Sequence, residues 1–214
     1  MIIYTAITHA RDKLREQPSI LGVNGFLAFV DSEQSSKVWD IQRIEHDGGR
    51  NAMTAKKLKV LARPLKGHIT LWIDGSIELS PKLDCGWLVS RFLDNADMAV
   101  FRHQSRTCLY QEAAYCAGKG LDDYRVISEQ VLRYTKEGYP ANNGLSECSV
   151  ILRRSNGRVE AFNELWWHEI THGSIRDQIS FDYCVWKLGI KVNYFQGSVG
   201  YSGLIGNEML LRHR

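Results

Sequence analysis

Short apolar runs recur along the chain, and most of them end in a polar residue. Runs of a few residues that are rich in β-branched and aromatic side chains are typical of strands buried on both faces of a sheet. By this criterion we predict strands at residues 2–7, 25–31, 69–74, 97–101 and 148–152. The chain therefore contains the strands of a buried sheet.

Longer segments between these runs carry the residue types and apolar spacing of helices. The segment 51–61 is dominated by Ala, Lys and Leu, and Met53, Leu58 and Leu61 fall near one face. Further helices are predicted at 86–94, 107–117, 123–137, 158–170 and 176–188. The alternation of strands and helices indicates an α/β fold with a mostly parallel central sheet flanked by helices.

Composition and charge narrow the class of protein only a little. Hydrophobic residues make up 44% and charged residues 24% of the sequence, which is ordinary for a globular protein. The formal net charge of +3 is too small to predict nucleic-acid binding from bulk charge. No repeat or linker-like tract divides the chain, so we predict a single domain over residues 1–214.

The cysteine pattern indicates a reducing compartment. The five cysteines are odd in number and no two form a CxxC pair, which argues against a disulfide framework or a zinc knuckle. No apolar run approaches the roughly 18 residues that a membrane span needs, and the N-terminal sequence does not resemble a signal peptide. We therefore expect a cytoplasmic protein with no membrane span.

Polar residues at the ends of the predicted strands give the first indication of a site. In sheets of parallel strands, ligands bind outside the carboxyl ends of the strands. The polar residues at or after these ends are Thr5, Thr8, Asp31, Asp74 and His103. We expect them to lie along one edge of the sheet.

Asp74 and Gly75 directly follow an apolar strand. A carboxylate at a strand end, next to a glycine that lets the backbone approach a ligand, suits a divalent cation bound to a diphosphate. Mg²⁺ or Mn²⁺ at this point would neutralise a leaving phosphate. An Asp-Gly turn without any function is the alternative interpretation.

Basic residues precede this strand. Arg50, Lys56 and Lys59 lie at or within the predicted helix 51–61, and the spacing of the two lysines puts them on one face. Phosphate is the natural ligand for such a group. A solvated helix face remains the alternative.

Two later segments combine polar and aromatic residues. His103 and Arg106 follow a strand, with Glu112 in the next helix, and together they suit a sugar or an acceptor. Asp177 and Gln178 begin a later helix, where they are predicted to face the same cleft; a role for Asp177 in capping a helix that starts after Ser174 is the alternative.

Several common catalytic motifs are absent from the sequence. It contains no GxGxxG, GxxxxGK[ST], HExxH or GxSxG pattern. Dinucleotide-dependent oxidoreduction, P-loop hydrolysis, zinc proteolysis and esterase chemistry therefore lose their main support.

Segments spread along residues 4 to about 190 resemble, in this order, the TOD1/MUCI70 glycosyltransferase-like domain family. The matching segments are 4–8, 29–31, Lys56 with Lys59, 71–76, Arg102-His103 with Arg106 and Glu112, Glu137-Gly138 with Gly144-Leu145, 163–167 and 176–181. The resemblance implies a GT-A-like, Rossmann-like fold that transfers sugars from nucleotide-diphosphate donors. A single carboxylate, in Asp74-Gly75-Ser76, stands where the usual DxD pattern has two.

The resemblance also implies roles for individual residues. Tyr4, Thr5 and Asp31 would contact the nucleoside, and Asp74 would hold the metal. Arg176, Asp177 and Gln178 look like the catalytic segment of retaining transferases, in which Asp177 orients sugar hydroxyls and Gln178 stabilises the anomeric carbon. The acceptor would enter near His103, with Trp166 and Trp167 beside it.

Other functions remain open at the level of sequence. The same fold as a hydrolase would cleave a nucleotide sugar or a lipid amide without any acceptor. A non-catalytic binder would hold a nucleotide sugar without turnover. The acceptor of a transferase is either a saccharide or a modified base in phage-type DNA, which the basic residues Arg153, Arg154, Arg158 and Arg212-His213-Arg214 would contact.

Overall fold

The computed structural model describes residues 1–9, 12–45, 51–197 and 211–213. The strands are β1 (Ile2–Ile7), β2 (Gly25–Val30), β3 (Asp40–Arg43), β4 (Thr70–Ile73), β5 (Ile77–Leu79), β6 (Met98–Arg102), β7 (Ser146–Arg153), β8 (Val192–Tyr194) and β9 (Leu211–His213). The helices are α1 (Asn51–Leu61), α2 (Cys85–Leu93), α3 (Leu109–Gly118), α4 (Tyr124–Lys136), α5 (Gly157–His172) and α6 (Asp177–Leu188), with a single 3₁₀ turn at Arg63–Leu65.

Seven strands form the central sheet, in the order β3-β2-β1-β4-β7-β6-β8. Strand β7 runs antiparallel to its neighbours β4 and β6, and the other pairs are parallel. The predicted α/β fold with a mostly parallel sheet is therefore confirmed. The reversal of β7 brings its first residues to the same edge as the carboxyl ends of the parallel strands.

Alternating side chains of the strands supply two apolar cores, one on each face of the sheet. Tyr4 and Trp72 face the larger core, which α1, α3, α4, α5 and α6 cover. Ile3 and Leu71 face the smaller core, to which α2 contributes Leu88. This alternation on both faces explains why the strands read as continuous apolar runs.

The predicted helices and long strands agree with the observed bounds to within two residues. Strands β3, β5, β8 and β9 were not predicted. Each has only three or four residues, and β3 is largely exposed, so their apolar content is too small to give a pattern. Strands β5 and β9 pair with each other in a separate two-stranded sheet.

The start of α6 differs from the capping alternative that the sequence allowed. Helix α6 begins at Asp177, and the residue before it, Arg176, makes no side-chain cap. The Ser174 hydroxyl instead accepts a hydrogen bond from the Arg176 N–H at 3.1 Å and donates one to Asp122 Oδ2 at 2.9 Å. The prediction that Ser174 caps α6 is therefore wrong. Asp177 is the first residue of this helix and places a negative charge in its first turn.

Within the described ranges, no helix combines the length and the apolar character that crossing a membrane requires.

Candidate active site

The carboxyl edge of the sheet brings together charged residues that lie far apart in the sequence. Asp74 directly follows β4, the neighbour of β1 in the sheet. Helix α1 packs beside β1 and carries Lys56 and Lys59, while α6 begins at Asp177. The predicted set of Lys56, Lys59, Asp74 and Asp177 therefore forms one cluster.

Asp177 is held by both lysines. Lys56 Nζ lies 2.8 Å from Asp177 Oδ1, and Lys59 Nζ lies 2.8 Å from Asp177 Oδ2. Lys59 Nζ is also 3.7 Å from Asp74 Oδ1. Lys59 therefore links the two carboxylates, and we call these four residues the lysine clamp.

The pKa values of Asp177 and Lys59 are shifted in the directions that favour their charged forms. Burial acts to raise the pKa of Asp177, but Lys56 and Lys59 outweigh burial and hold that pKa well below its usual value. Burial acts to lower the pKa of Lys59, but Asp177 and Asp74 keep it above its usual value. Asp177 and Lys59 are therefore both ionised at neutral pH, because each of these buried charges has an opposite charge in contact.

Asp74 is the member of the clamp that faces solvent. Its side chain is 42% exposed, against 8% for Lys59 and 11% for Asp177. Asp74 Oδ1 accepts a hydrogen bond of 2.7 Å from Trp72 Nε1, which fixes the orientation of the carboxylate. A side chain at the adjacent Gly75 would be crowded, since a Cβ there would lie 3.0 Å from Ile7 Cγ1.

A divalent cation would find little protein ligation here. No group of three His, Cys, Asp or Glu side chains suited to a metal ion occurs among the residues that the structure describes. The exposed carboxylate of Asp74 fits an ion of the kind that takes one or two protein ligands and the rest from substrate phosphates and water.

Two of the residues predicted to contact a nucleoside, Tyr4 and Thr5, are buried. Tyr4 is completely buried, and its hydroxyl donates to the Lys59 carbonyl at 2.9 Å. Its ring packs edge-on against Trp72 with centroids 5.1 Å apart. Thr5 is buried as well. Tyr4 thus supports α1 and β4 from within the core, and contact of Tyr4 and Thr5 with a nucleoside stays a prediction.

The remaining residues predicted for the donor differ in their settings. Asp31 accepts hydrogen bonds from the His9 N–H at 2.9 and 2.8 Å, so it organises the loop that follows β1. Gln178 is half-buried, next to Asp177, and Arg176 is half-buried immediately before it. Arg50 lies outside the described residues.

The two tryptophans predicted to lie beside the acceptor are part of the core. Trp166 is completely buried, and its Nε1–H donates to the Asp177 carbonyl at 2.9 Å. Trp167 is half-buried and packs against the larger core. Trp166 therefore holds the first residue of α6 in place, and acceptor contact by the two tryptophans stays a prediction.

A second polar cluster follows β6. Arg106 Nε lies 2.5 Å from Glu112 Oε2, and an Arg106 Nη2 lies 3.0 Å from His103 Nε2. The backbone N–H groups of Ser105 and Arg106 both donate to His103 Nδ1. Burial and the nearby Arg106 lower the pKa of His103, so its imidazole is neutral at pH 7. The structure thus brings His103, Arg106 and Glu112 together as predicted.

His103 and Arg106 border an open cleft of about 450 Å³, together with Arg102, Asn142 and Asn143. The cleft lies at the carboxyl end of β6, at the same edge of the sheet as Asp74. It presents mainly hydrogen-bond donors and acceptors, which suits a polyhydroxylated ligand.

Glu147 is a charged residue of this edge that the sequence reasoning missed. It is the second residue of β7, and its Oε1 accepts a hydrogen bond of 3.0 Å from the Ser149 N–H. Burial and the negative charge of Asp74 raise the pKa of Glu147. The signal in the sequence was a glutamate within an apolar strand, but only the antiparallel direction of β7 places it at the carboxyl edge.

The sheet order, the reversed β7 and the charged cluster after β4 define a GT-A-like α/β fold. The chain belongs to the TOD1/MUCI70 glycosyltransferase-like domain family, whose family model matches residues 24–199. It is 31% identical over 179 residues to the "Probable hexosyltransferase MUCI70" of Arabidopsis thaliana. That alignment covers 77% of this chain and 30% of the relative, so the chain spans less than a third of that protein.

A solved structure shares this fold at low sequence identity, and a second one matches more weakly. The crystal structure of mouse xyloside xylosyltransferase 1 in its apo form has a TM-score of 0.50 and 10% identity, and the match covers 100% of this chain and 96% of that one. Core-mannan synthase A of Aspergillus fumigatus in its Mn/GDP form has a TM-score of 0.38 and 7% identity, with 80% and 64% coverage.

Proposed function

We propose that this protein transfers a sugar from a nucleotide-diphosphate sugar to the hydroxyl of a saccharide acceptor. The observation that carries the proposal is the lysine clamp, which concentrates two ammonium groups beside a solvent-facing carboxylate at the ligand-binding edge of a GT-A-like sheet. Membership of a glycosyltransferase-like family supports the same reaction class.

The lysines are the groups that receive the diphosphate. An ammonium group has three N–H donors, so Lys56 and Lys59 retain donors beyond those that Asp177 uses. Positive charge fixed in a partly buried site stabilises the charge that develops on a leaving diphosphate without rearrangement. In the proposed donor site the diphosphate therefore binds at Lys56 and Lys59, with Asp74 beside Lys59.

The proposed role of Asp74 is to hold a divalent cation together with the donor. A bound Mg²⁺ or Mn²⁺ would neutralise part of the diphosphate charge. Trp72 serves this role indirectly, because its Nε1–H bond to Oδ1 sets the position of the carboxylate.

The sugar is proposed to lie over the start of α6. Asp177 at the first position of the helix would orient sugar hydroxyls, and Gln178 beside it would stabilise positive charge at the anomeric carbon. Because an amide is a poor nucleophile, we propose a front-face displacement that retains configuration. Trp166 supports this geometry by holding the Asp177 carbonyl.

A saccharide is the better candidate for the acceptor. Two of the basic residues predicted to contact DNA are not on a free surface: Arg153 is 1% exposed, and Arg154 Nε donates to the Leu93 and Ala96 carbonyls. Arg158 is paired with Asp97 at 3.2 Å. The cleft beside His103 and Arg106 offers hydrogen bonds that suit sugar hydroxyls.

The first test of the function is thermal-shift screening with UDP-, GDP- and CDP-sugars, with and without Mn²⁺. We expect one nucleotide class to raise the Tm, by several degrees at a ligand concentration about 100 times the Kd, because a ligand that binds only the folded state stabilises it.

A turnover assay with the nucleotide sugar that binds separates the alternative functions. Product released without an acceptor would indicate the hydrolase, and binding without turnover would indicate a non-catalytic binder. If no nucleotide or nucleotide sugar shifts the Tm, the proposal is wrong.

The role of Asp74 has its own test. Asp74→Asn keeps the size of the side chain and its acceptor for Trp72 but removes the charge, so we expect donor affinity in Mn²⁺ to fall about tenfold and the response to Mn²⁺ to disappear. The control is Asp94→Asn, at an exposed aspartate after α2. Equal Mn²⁺ dependence in both variants would show that Asp74 is only a turn residue.

A further inference from the structure

A second cavity lies at the edge of the sheet opposite the lysine clamp. Its floor includes Thr70, the first residue of β4, and Arg153, the last residue of the antiparallel β7. It has a volume of about 360 Å³, within the range of small-molecule sites. The proposed function makes no use of this cavity.

The floor of the cavity contains a buried cation without a counter-charge. The Arg153 side chain donates to the Val60 carbonyl at 2.9 Å, the Lys59 carbonyl at 2.5 Å and Asn163 Oδ1 at 3.0 Å. It also donates to the Tyr4 hydroxyl. All of these acceptors are neutral, and in the described part of the chain no carboxylate forms an ion pair with Arg153.

Such a charge is costly in the apoprotein. Hydrogen bonds to neutral groups satisfy the N–H donors of Arg153 but leave its positive charge uncompensated in a poorly solvated place. An anion that enters the cavity would supply the missing charge. The floor of the cavity therefore favours an occupant with a negatively charged oxygen group.

Asn163 provides a donor for that anion. It is 7% exposed, lines the cavity and uses its Oδ1 to accept from Arg153. Across the residues that the structure covers, its amide N–H₂ group donates to no protein acceptor. The Thr70 hydroxyl, at 4% exposure, adds another hydrogen-bonding group to the same floor.

Four other charged residues pair with each other at the rim of the cavity, while Arg154, which also lines it, donates to the Leu93 and Ala96 carbonyls. Lys66 Nζ lies 3.0 Å from Glu160 Oε2, and Arg63 Nη2 lies 3.0 Å from Glu164 Oε1. All four side chains are exposed, so these pairs are weak and can open to admit a ligand. The rim therefore leaves the charge of Arg153 available to an occupant.

Apolar side chains form the walls between rim and floor. Leu61, Leu65 and Val159 line the cavity and are themselves buried. A cavity with apolar walls and a few convergent polar groups fits a ligand with an apolar body and one anionic end.

We propose that this cavity binds a small organic acid, with its carboxylate or phosphate at Arg153 and Asn163 and its apolar body between Leu61, Leu65 and Val159. This site is separate from the lysine clamp. The two sites meet at Lys59, whose carbonyl accepts a hydrogen bond from Arg153 and whose side chain belongs to the clamp. The proposed ligand is an organic acid and is distinct from the nucleotide-sugar donor.

The test compares benzoate and phenyl phosphate with benzyl alcohol, by calorimetry and thermal shift on the full chain. We expect the two anions to bind and the alcohol to bind at least about tenfold more weakly, since it cannot compensate the charge of Arg153. Whichever of benzoate and phenyl phosphate binds more tightly shows whether the site prefers a carboxylate or a phosphate. Equal binding of benzoate and benzyl alcohol, or no binding of either anion, would overturn the proposal.

Asn163→Asp places a carboxylate beside Arg153 with almost no change in shape. We expect this variant to have a higher Tm and to bind benzoate at least about tenfold more weakly, because the protein itself now supplies the counter-charge. Asn95→Asp, at an exposed asparagine, is the matched control, and Lys56→Met tests the lysine clamp. Both should bind benzoate as the unmodified protein does.

Thr70→Val is a second variant that removes only a hydroxyl, in case Asn163→Asp does not fold. We expect it to weaken benzoate binding by about threefold to tenfold. Benzoate affinity that is unchanged by Thr70→Val and Asn163→Asp, or that is lost in Lys56→Met, would place the anion elsewhere and refute the proposed site.

Discussion

Replacement of Asp177 by Asn is expected to abolish sugar transfer and, at the same time, to tighten the binding of nucleoside diphosphates. In the structure, Lys56 and Lys59 each lie 2.8 Å from an oxygen of Asp177. A diphosphate that binds these lysines therefore competes with Asp177 for their charge. Removing the carboxylate charge removes the competitor, and the affinity for UDP or GDP should rise by about tenfold.

The same substitution should lower kcat by about 100-fold or more, since Asp177 is proposed to orient the reacting sugar. Calorimetry with the nucleoside diphosphate and a transfer assay with the matching nucleotide sugar measure the two effects separately. Asp94→Asn is the matched control and should change neither. A loss of both transfer and diphosphate affinity in Asp177→Asn would contradict competition within the lysine clamp.

The charges of Asp177 and Lys59 should not change between about pH 5 and 9. The pKa of Asp177 is depressed in the folded protein, so its stabilising contribution is present above the usual aspartate pKa and is lost only in strong acid. The pKa of Lys59 is raised, so its contribution is present below the usual lysine pKa and is lost only in strong alkali. Asp177 and Lys59 therefore stay ionised throughout this interval.

Lys59→Met is expected to cause the largest loss of stability among substitutions in the clamp. The Lys59 ammonium is the one that contacts both Asp177 and Asp74, and its side chain is 8% exposed. Without it, Asp177 stays buried with one lysine where it had two. Removing one partner of a buried ion pair typically costs about 3–5 kcal/mol; because Lys56 remains, we expect roughly 2–4 kcal/mol.

Urea unfolding of Lys59→Met and Lys57→Met measures this effect. Lys57 lies on the same helix but is exposed, so its replacement tests helix propensity and hydrophobicity without the clamp. Transfer should also fall in Lys59→Met and persist in Lys57→Met, when both are assayed well below their Tm. Equal unfolding midpoints for the two variants would show that the ion pairs of Lys59 contribute no net stability.

The prediction of the sheet and helices succeeded where the local pattern was strong. Segment 51–61 is rich in Ala, Lys and Leu, which favour a helix. The buried strand before Asp74 reads as an apolar run because both of its faces are covered. The family resemblance succeeded for a related reason: it rests on the order of short segments along the chain, which requires no knowledge of their contacts.

The sequence did not show which side chains of the predicted site are buried. Tyr4 and Trp166 are aromatic residues with a polar atom, and the sequence cannot distinguish one that meets a ligand from one that supports the site from within. The structure buries both and directs their polar atoms to the backbone of Lys59 and Asp177. Glu147 was not predicted as a site residue because it reaches this edge only through the antiparallel direction of β7. That direction is set by strand pairing in the sheet and cannot be read from the sequence of the strand.

The sequence by itself determined the α/β class, the main helices and strands, the family, and the position of Asp74 at the end of a strand, because these follow from local periodicity and residue order. Only the tertiary structure decided the partners of the charged residues. Asp177 is more than 100 residues from both lysines along the chain, and Arg153 is equally remote from Tyr4. Chain folding alone sets such distances, and with them the lysine clamp and the cavity behind it.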